Sequence, residues 1–359
     1  ALFDLIQKHY PSELYFLTID DTIAQKRGLK VFGAGMHRNA AMSSRNKTVT
    51  SWSHSWVVLS VVLKFPFAPS RRFSLPIGFR LHLNRDSAKK HRRKYRKKTS
   101  QAIELLKVLV KRYPQQKFHL LTDSGYGNQQ LLLELPRNVE VTSRLTLDAR
   151  LYGVPEQKKG RGRPRVRGMR LDSPQQMLNK RCSRAKVQMY GKTWKLKYKS
   201  CSARLHHLPR KSLKIVAVEH LNTGRKRQVF FSTVENVEAL ELLEWYSWRW
   251  SIEVSFRDSK QQLGFEEPQG WSRKAVQRTA PVAMLLYSLV LLWFSLKGYK
   301  HKNITPMPWY PHKSTTSFAD MLSSLRVESL KESFLQHPLD YGMFEKSIKE
   351  LIFLYSYRV

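Results

Sequence analysis

Acidic residues are scarce in this chain. Against 64 Lys and Arg stand 27 Asp and Glu, which leaves +37 at neutral pH and a pI near 10.4. A field of that sign disfavours cationic ligands and favours a polyanion, nucleic acid before an anionic membrane surface, because each neutralised phosphate releases counterions. Cysteine is almost absent: Cys182 and Cys201 are too few for a disulfide framework. Their spacing to His206 and His207 matches no zinc finger or ribbon. No signal-peptide pattern opens the sequence, so an intracellular location is expected, cytoplasm or nucleoid if the host is bacterial. Long apolar runs are lacking too. The longest, residues 280–296 (APVAMLLYSLVLLWFSL), falls short of the roughly 20 residues that cross a bilayer and reads as a buried helix, with no membrane partner.

What is present is a core-forming composition, 42% hydrophobic with 11% aromatic over 359 residues, enough for one large domain or two ordinary ones. Residues 14–20 (LYFLTID), 55–64 (SWVVLSVVLK) and 74–83 (SLPIGFRLHL) read as three successive strands, rich in β-branched and aromatic side chains. The run 89–98 (KKHRRKYRKK) holds eight Lys and Arg in ten positions. It leads into residues 99–113, where Ala102, Leu105, Leu106, Leu109 and Val110 recur at helical spacing. A fourth strand at 117–123 (KFHLLTD), a helix at 129–135 and a fifth strand at 139–143 follow. The chain therefore predicts an α/β fold with a ribonuclease-H-like core, a mixed sheet flanked by helices.

Residues 153–168 (GVPEQKKGRGRPRVRG) are too rich in Gly, Pro and Arg for a regular element and read as a basic connection. Short strands across 187–232 make a β-rich insert. Four regions result: 1–150, the first part of the core; 151–236, basic linker and insert; 237–297, a helical completion of the core; and 298–359, a helical C-terminal region. The chain opens on Ala1, and an N-terminal segment is expected to be missing.

Phosphodiester cleavage with divalent ions requires carboxylates from separate segments to meet, because hard cations such as Mg²⁺ take oxygen ligands. Asp20, Asp21 and Asp123 each stand where an apolar run stops. Residues 240–263 read as one helix on which Tyr246, Arg249, Glu253 and Lys260 fall within a sector of about 60°. Trp245, Trp248, Ile252 and Phe256 form the adjoining apolar face.

Tyr246, Arg249, Glu253 and Lys260, with gaps of two, three and six residues between them, resemble in type and spacing the Tyr-Arg-Glu-Lys motif of DDE transposases in the insertion sequence four superfamily. Asp21-Thr22 is similar to the family's first catalytic block and Asp123 in LLTDSGYG to its second. The resemblance spans approximately residues 14–296. It implies a transposase that cuts at terminal inverted repeats and joins the freed 3′-hydroxyl to target DNA. Asp21, Asp123 and Glu253 would bind two Mg²⁺ ions, with Mn²⁺ able to substitute, and Tyr246, Arg249 and Lys260 would contact end phosphates. Asp20 is the alternative first carboxylate, since a one-residue slip turns the side chain to the other face of the strand. The implied partners are duplex DNA, both transposon ends and target, and a second copy in a homodimer assembled on DNA.

Residues 160–165 (GRGRPR) resemble an AT-hook, with Arg161 and Arg163 as minor-groove contacts. Two rival readings stay open: a truncated or inactive transposase relative that binds DNA without cutting it, and an architectural or ribosome-associated basic protein. Intact carboxylates argue against the first, and the second has no reason for three carboxylates in this order beside the stripe of Tyr246, Arg249 and Lys260.

Overall fold

The computed structural model describes residues 1–40, 42–44, 46–155, 165–221, 226–301, 311–313 and 315–336. Along the chain run α1 (Leu2–His9), β1 (Leu14–Gln25), β2 (Gly35–Arg38), β3 (Thr50–Phe65), β4 (Ala68–His82), α2 (Arg85–Lys90), α3 (Lys98–Arg112), β5 (Lys117–Thr122), α4 (Gln129–Glu134) and β6 (Val139–Leu145). They are followed by β7 (Leu151–Tyr152), α5 (Pro174–Asn179), β8 (Ser183–Met189), β9 (Lys192–Leu205), β10 (Leu208–His220) and β11 (Gln228–Ser232). The last part holds α6 (Ala239–Trp248), α7 (Ser251–Gln262), α8 (Arg273–Leu296) and α9 (Phe318–Gln336).

The centre of the sheet has the order β4-β3-β1-β5-β6. Strand β1 is antiparallel to β3 and parallel to β5, and β5 is parallel to β6. This is the ribonuclease-H-like arrangement expected from the element order. The parallel step from β4 through α3 to β5 needs a crossover, and α3 supplies it, burying Ala102, Ile103, Leu105, Leu106 and Leu109 against the sheet. The insert does not stand apart from the core. Its strand β11 pairs with β6, from Val229 opposite Leu145 to Ser232 opposite Thr142, and β10 and β9 continue the same sheet.

Alternate residues of β1 face opposite layers. Tyr15, Leu17 and Ile19 pack in the core shared with α1 and α3. Phe16 meets Trp248 and Trp245 at centroid distances of 4.8 and 5.3 Å, so the even positions face α6 and α7. The helix read over 240–263 is two helices. At the junction the amides of Arg249, Trp250, Ile252 and Glu253 bond to the carbonyls three residues back, at 3.1–3.2 Å, a tightening that re-aims the chain. It also lets Ser251 Oγ reach Ser74 Oγ at 2.5 Å, pinning α7 to the sheet.

Helix α8 is long and apolar enough to cross a membrane, yet it is a core element. Tyr287, Val290, Leu291, Leu292 and Phe294 are buried in the main cluster, and Ser288 Oγ donates to the Pro76 carbonyl at 3.1 Å.

Candidate active site

The carboxyl-terminal ends of the parallel strands bring the acidic residues together. Ile19 stands opposite Thr122 where the parallel β1–β5 pairing stops, so Asp123, just past the end of β5, lies beside Asp20. Asp20 is within β1, because that strand runs on against β3 to Gln25 rather than ending at residue 20. Asp123 is held by a local turn: its Oδ1 accepts from the amides of Gly125 and Tyr126 at 3.0 and 3.1 Å. Ser143 Oγ clasps the Asp123 carbonyl at 2.8 Å, and Gly127 lies so close to that hydroxyl that a methyl group there would overlap it.

Asp20 and Asp21 point to opposite faces and meet different partners. Asp20 lies on the α6–α7 side, where Arg249 Nη1 donates to its Oδ2 at 3.0 Å and Arg249 Nη2 donates to Glu253 Oε1 at 2.7 Å. Glu253 sits in the first turn of α7, where the helix dipole favours a negative charge. Asp21 lies on the α3 side, bound by Lys98 Nζ at 2.5 Å and by the Tyr126 hydroxyl at 2.9 Å. The structure thus joins Asp20, rather than Asp21, to Arg249 and Glu253.

Burial pushes the Asp20 carboxyl up to about 7, opposed by Arg249 and reinforced by the like charges of Asp123 and Asp21. Burial and the same carboxylates raise the Tyr126 phenol, which stays a proton donor. Arg249 is itself buried, a condition that works against its charge, but Tyr246, Asp20 and Glu253 more than offset it and raise its pKa.

Of the remaining motif residues, Tyr246 touches Arg249 and Lys260 has a partner of its own. Tyr246 is buried, its ring 4.6 Å from Phe230 and 5.8 Å from the Arg249 guanidinium carbon, and burial pushes its hydroxyl up to about 12. Lys260 pairs with Glu266 at 3.2 Å. Arg161 and Arg163 fall outside the described residues. Sequence reasoning missed Lys98 and Tyr126, although each stands beside a recognised feature: Lys98 closes the basic run, and Tyr126 follows Asp123 by three positions in the Gly-containing turn.

Among the described residues no three His, Cys, Asp or Glu side chains converge into a ready-made metal cage; Arg249 and Lys98 bind the carboxylates that would form one. The donor chemistry nonetheless fits a hard divalent ion, with oxygen ligands from β1, the β5 end and α7 and a like-charge crowding at Asp20 that a cation would relieve. No curated protein matches the chain. The profile of the DDE superfamily endonuclease family matches residues 1–200, a stretch that includes Asp20, Asp21 and Asp123 and stops short of Glu253. A ribonuclease-H-like sheet with two carboxylates at its rim and a match over more than half its length together establish that the chain belongs to the DDE superfamily endonuclease family.

Proposed function

We propose that this protein is a DNA transposase of the DDE type, cleaving transposon ends and transferring the freed strand to target DNA, with Asp20, Asp123 and Glu253 as its catalytic carboxylates. The observation that carries the reading is the Arg249 guanidinium bridging Asp20 and Glu253 beside the turn that fixes Asp123. Asp21, on the far face of the strand with Lys98 and Tyr126, becomes the alternative first ligand.

Mg²⁺ held there by Asp20, Asp123 and Glu253 would supply Lewis-acid stabilisation of the leaving oxygen and activation of water or a 3′-hydroxyl. The chain's own residues do the positioning. Asp123 is pre-set by its turn, so its second oxygen is aimed without further ordering. Arg249, once released from the carboxylates it bridges, offers a planar pair of donors matched to a phosphate. Lys98 can likewise exchange Asp21 for a backbone phosphate. Lys260, two turns from Glu253, remains the second phosphate contact of the motif, and Tyr246 supports the Arg249 side chain from below.

The test is Mg²⁺-dependent nicking of plasmid carrying the inverted repeats found beside the gene, with Asp20→Asn and Asp21→Asn compared. Loss of nicking in Asp20→Asn alone supports this assignment. Loss in Asp21→Asn alone moves the ligand by one residue. Full nicking in both removes the reading.

A further inference from the structure

We propose that the outer face of the β8–β9 ribbon is a second duplex-DNA contact surface, a ladder of cations that leads phosphate backbone to the carboxylate site. It rests on the transposase reading only for the choice of ligand.

The register of the hairpin sets cations opposite one another. Arg184 faces Lys197, Lys186 faces Lys195, and Gln188 faces Thr193 on the next rung. Like charges directly opposite in an antiparallel pair destabilise it. Here two adjacent rungs carry such pairs. Among the described residues Arg184, Lys186 and Lys195 make no ion pair, and Lys197 has only a 3.7 Å contact to Glu219, whose other oxygen is taken by Arg227 at 3.2 Å. Arg184, Lys186 and Lys195 are exposed.

The other face of the same ribbon is fully explained by packing. Val187, Met189 and Leu196 are buried with Leu242, Leu243 and Tyr246 of α6, and Trp194 packs against them. The alternation therefore turns Arg184, Lys186, Lys195 and Lys197 to the outer face. Register cannot slip to relieve the repulsion, because a two-residue turn fixes it. Tyr190 and Gly191 both have positive φ, 54° and 70°, the hairpin geometry that matches strand twist, and a non-glycine residue accepts it at Tyr190.

The ribbon also has a direction. Its tip reaches the junction between α6 and α7, where the Tyr190 and Trp250 rings meet edge to face at 6.3 Å. Trp250 is the immediate neighbour of Arg249. The Gln188–Thr193 rung comes next to the tip, and the two cationic rungs follow it away from Trp250, each about 7 Å from the last at two residues per rung. A membrane surface is the competing occupant, since Tyr190 and Trp250 are exposed at the tip and interfacial binding needs an apolar anchor; the vesicle arm of the experiment separates the two.

The experiment is equilibrium binding of the whole chain to a fluorescent 30-base-pair duplex (about three helical turns) in EDTA, with log affinity plotted against log salt between about 50 and 200 mM. Arg184→Gln/Lys186→Gln/Lys195→Gln should make the slope shallower by about 2.7, at about 0.9 for each phosphate no longer neutralised. Lys8→Gln/Lys111→Gln/Arg137→Gln, exposed cations elsewhere, should change it by less than about 1. A second variant separates binding from folding: Arg184→Glu/Lys186→Glu converts both repulsive rungs into ion pairs, so its melting temperature should rise while its affinity falls at least about tenfold. An unchanged slope in the first variant, an equal loss in the control, or an equal loss of binding to phosphatidylserine vesicles overturns the proposal. None of these results touches the assignment of Glu253, which is read by cleavage and not by binding.

Discussion

Asp20 and Arg249 lie 229 positions apart in sequence and 3.0 Å apart in the folded chain. Arg249 closes the site like a clasp, holding Asp20 with one nitrogen and Glu253 with the other, 2.7 Å away. Side chains this buried are expensive to leave unpaired, since removing one partner of a buried ion pair costs about 3–5 kcal/mol. Arg249→Ala should therefore lower stability by roughly 3 kcal/mol in metal-free buffer, measured by urea denaturation.

Arg249→Lys tests the shape of the contact rather than its charge. A lysine cannot bridge two carboxylates or grip a phosphate with two prongs. Single-turnover cleavage is expected to fall by at least about tenfold while duplex affinity changes by less than about threefold, because misplacing reacting atoms costs rate more than binding. Equal falls in both would make Arg249 an ordinary binding residue.

Tyr126→Phe removes the hydroxyl that bonds Asp21 Oδ1 at 2.9 Å. A hydrogen bond to a charged group contributes about 1.5–3 kcal/mol, so thermal unfolding should show a loss of that order. If Asp20 is the ligand, cleavage in this variant stays within about threefold of wild type, a change under about 1 kcal/mol in barrier.

Three buried imidazoles make the fold acid-sensitive. Burial pushes His37 and His54 down to about 4 and His119 down to about 3. In each the folded state holds its proton less tightly than the unfolded chain, so stability is complete above about 6.5 and is lost as pH falls from there towards 4. At pH 5 each contributes up to about 2 kcal/mol of destabilisation. Melting curves from pH 7.5 to 4.5 should fall accordingly, and His119→Gln, which keeps a polar group facing Thr142 at the 2.7 Å contact, should flatten the fall. A melting temperature independent of pH over this range would contradict the burial argument.

The strands around the site were legible because β-branched and aromatic runs are local signals, and β1, β3, β4, β5 and β6 cover the segments read as strands to within one residue. Helix α3 was legible from its apolar spacing. The short β2 and α2 carry no periodic pattern and were not anticipated. The break at Arg249–Trp250 was hidden for a different reason: no Gly or Pro marks it, and the contact that accompanies it, Ser251 to Ser74, is tertiary. The choice between Asp20 and Asp21 was equally out of reach. Both end the same apolar run, and only the layer on each side of β1, α7 for one and α3 for the other, distinguishes them. Lys98 shows the same limit, since within a run of eight cations nothing local marks the one that turns inward to a carboxylate.

Catalysis at this rim requires Glu253 to be a ligand and not one half of a surface pair. The most direct measurement is Mg²⁺-dependent single-turnover cleavage by Glu253→Ala, made alongside its duplex affinity in EDTA. Loss of cleavage by more than about a thousandfold, over about 4 kcal/mol in barrier, with affinity within about threefold of wild type is the predicted result. Cleavage at the wild-type rate would contradict it.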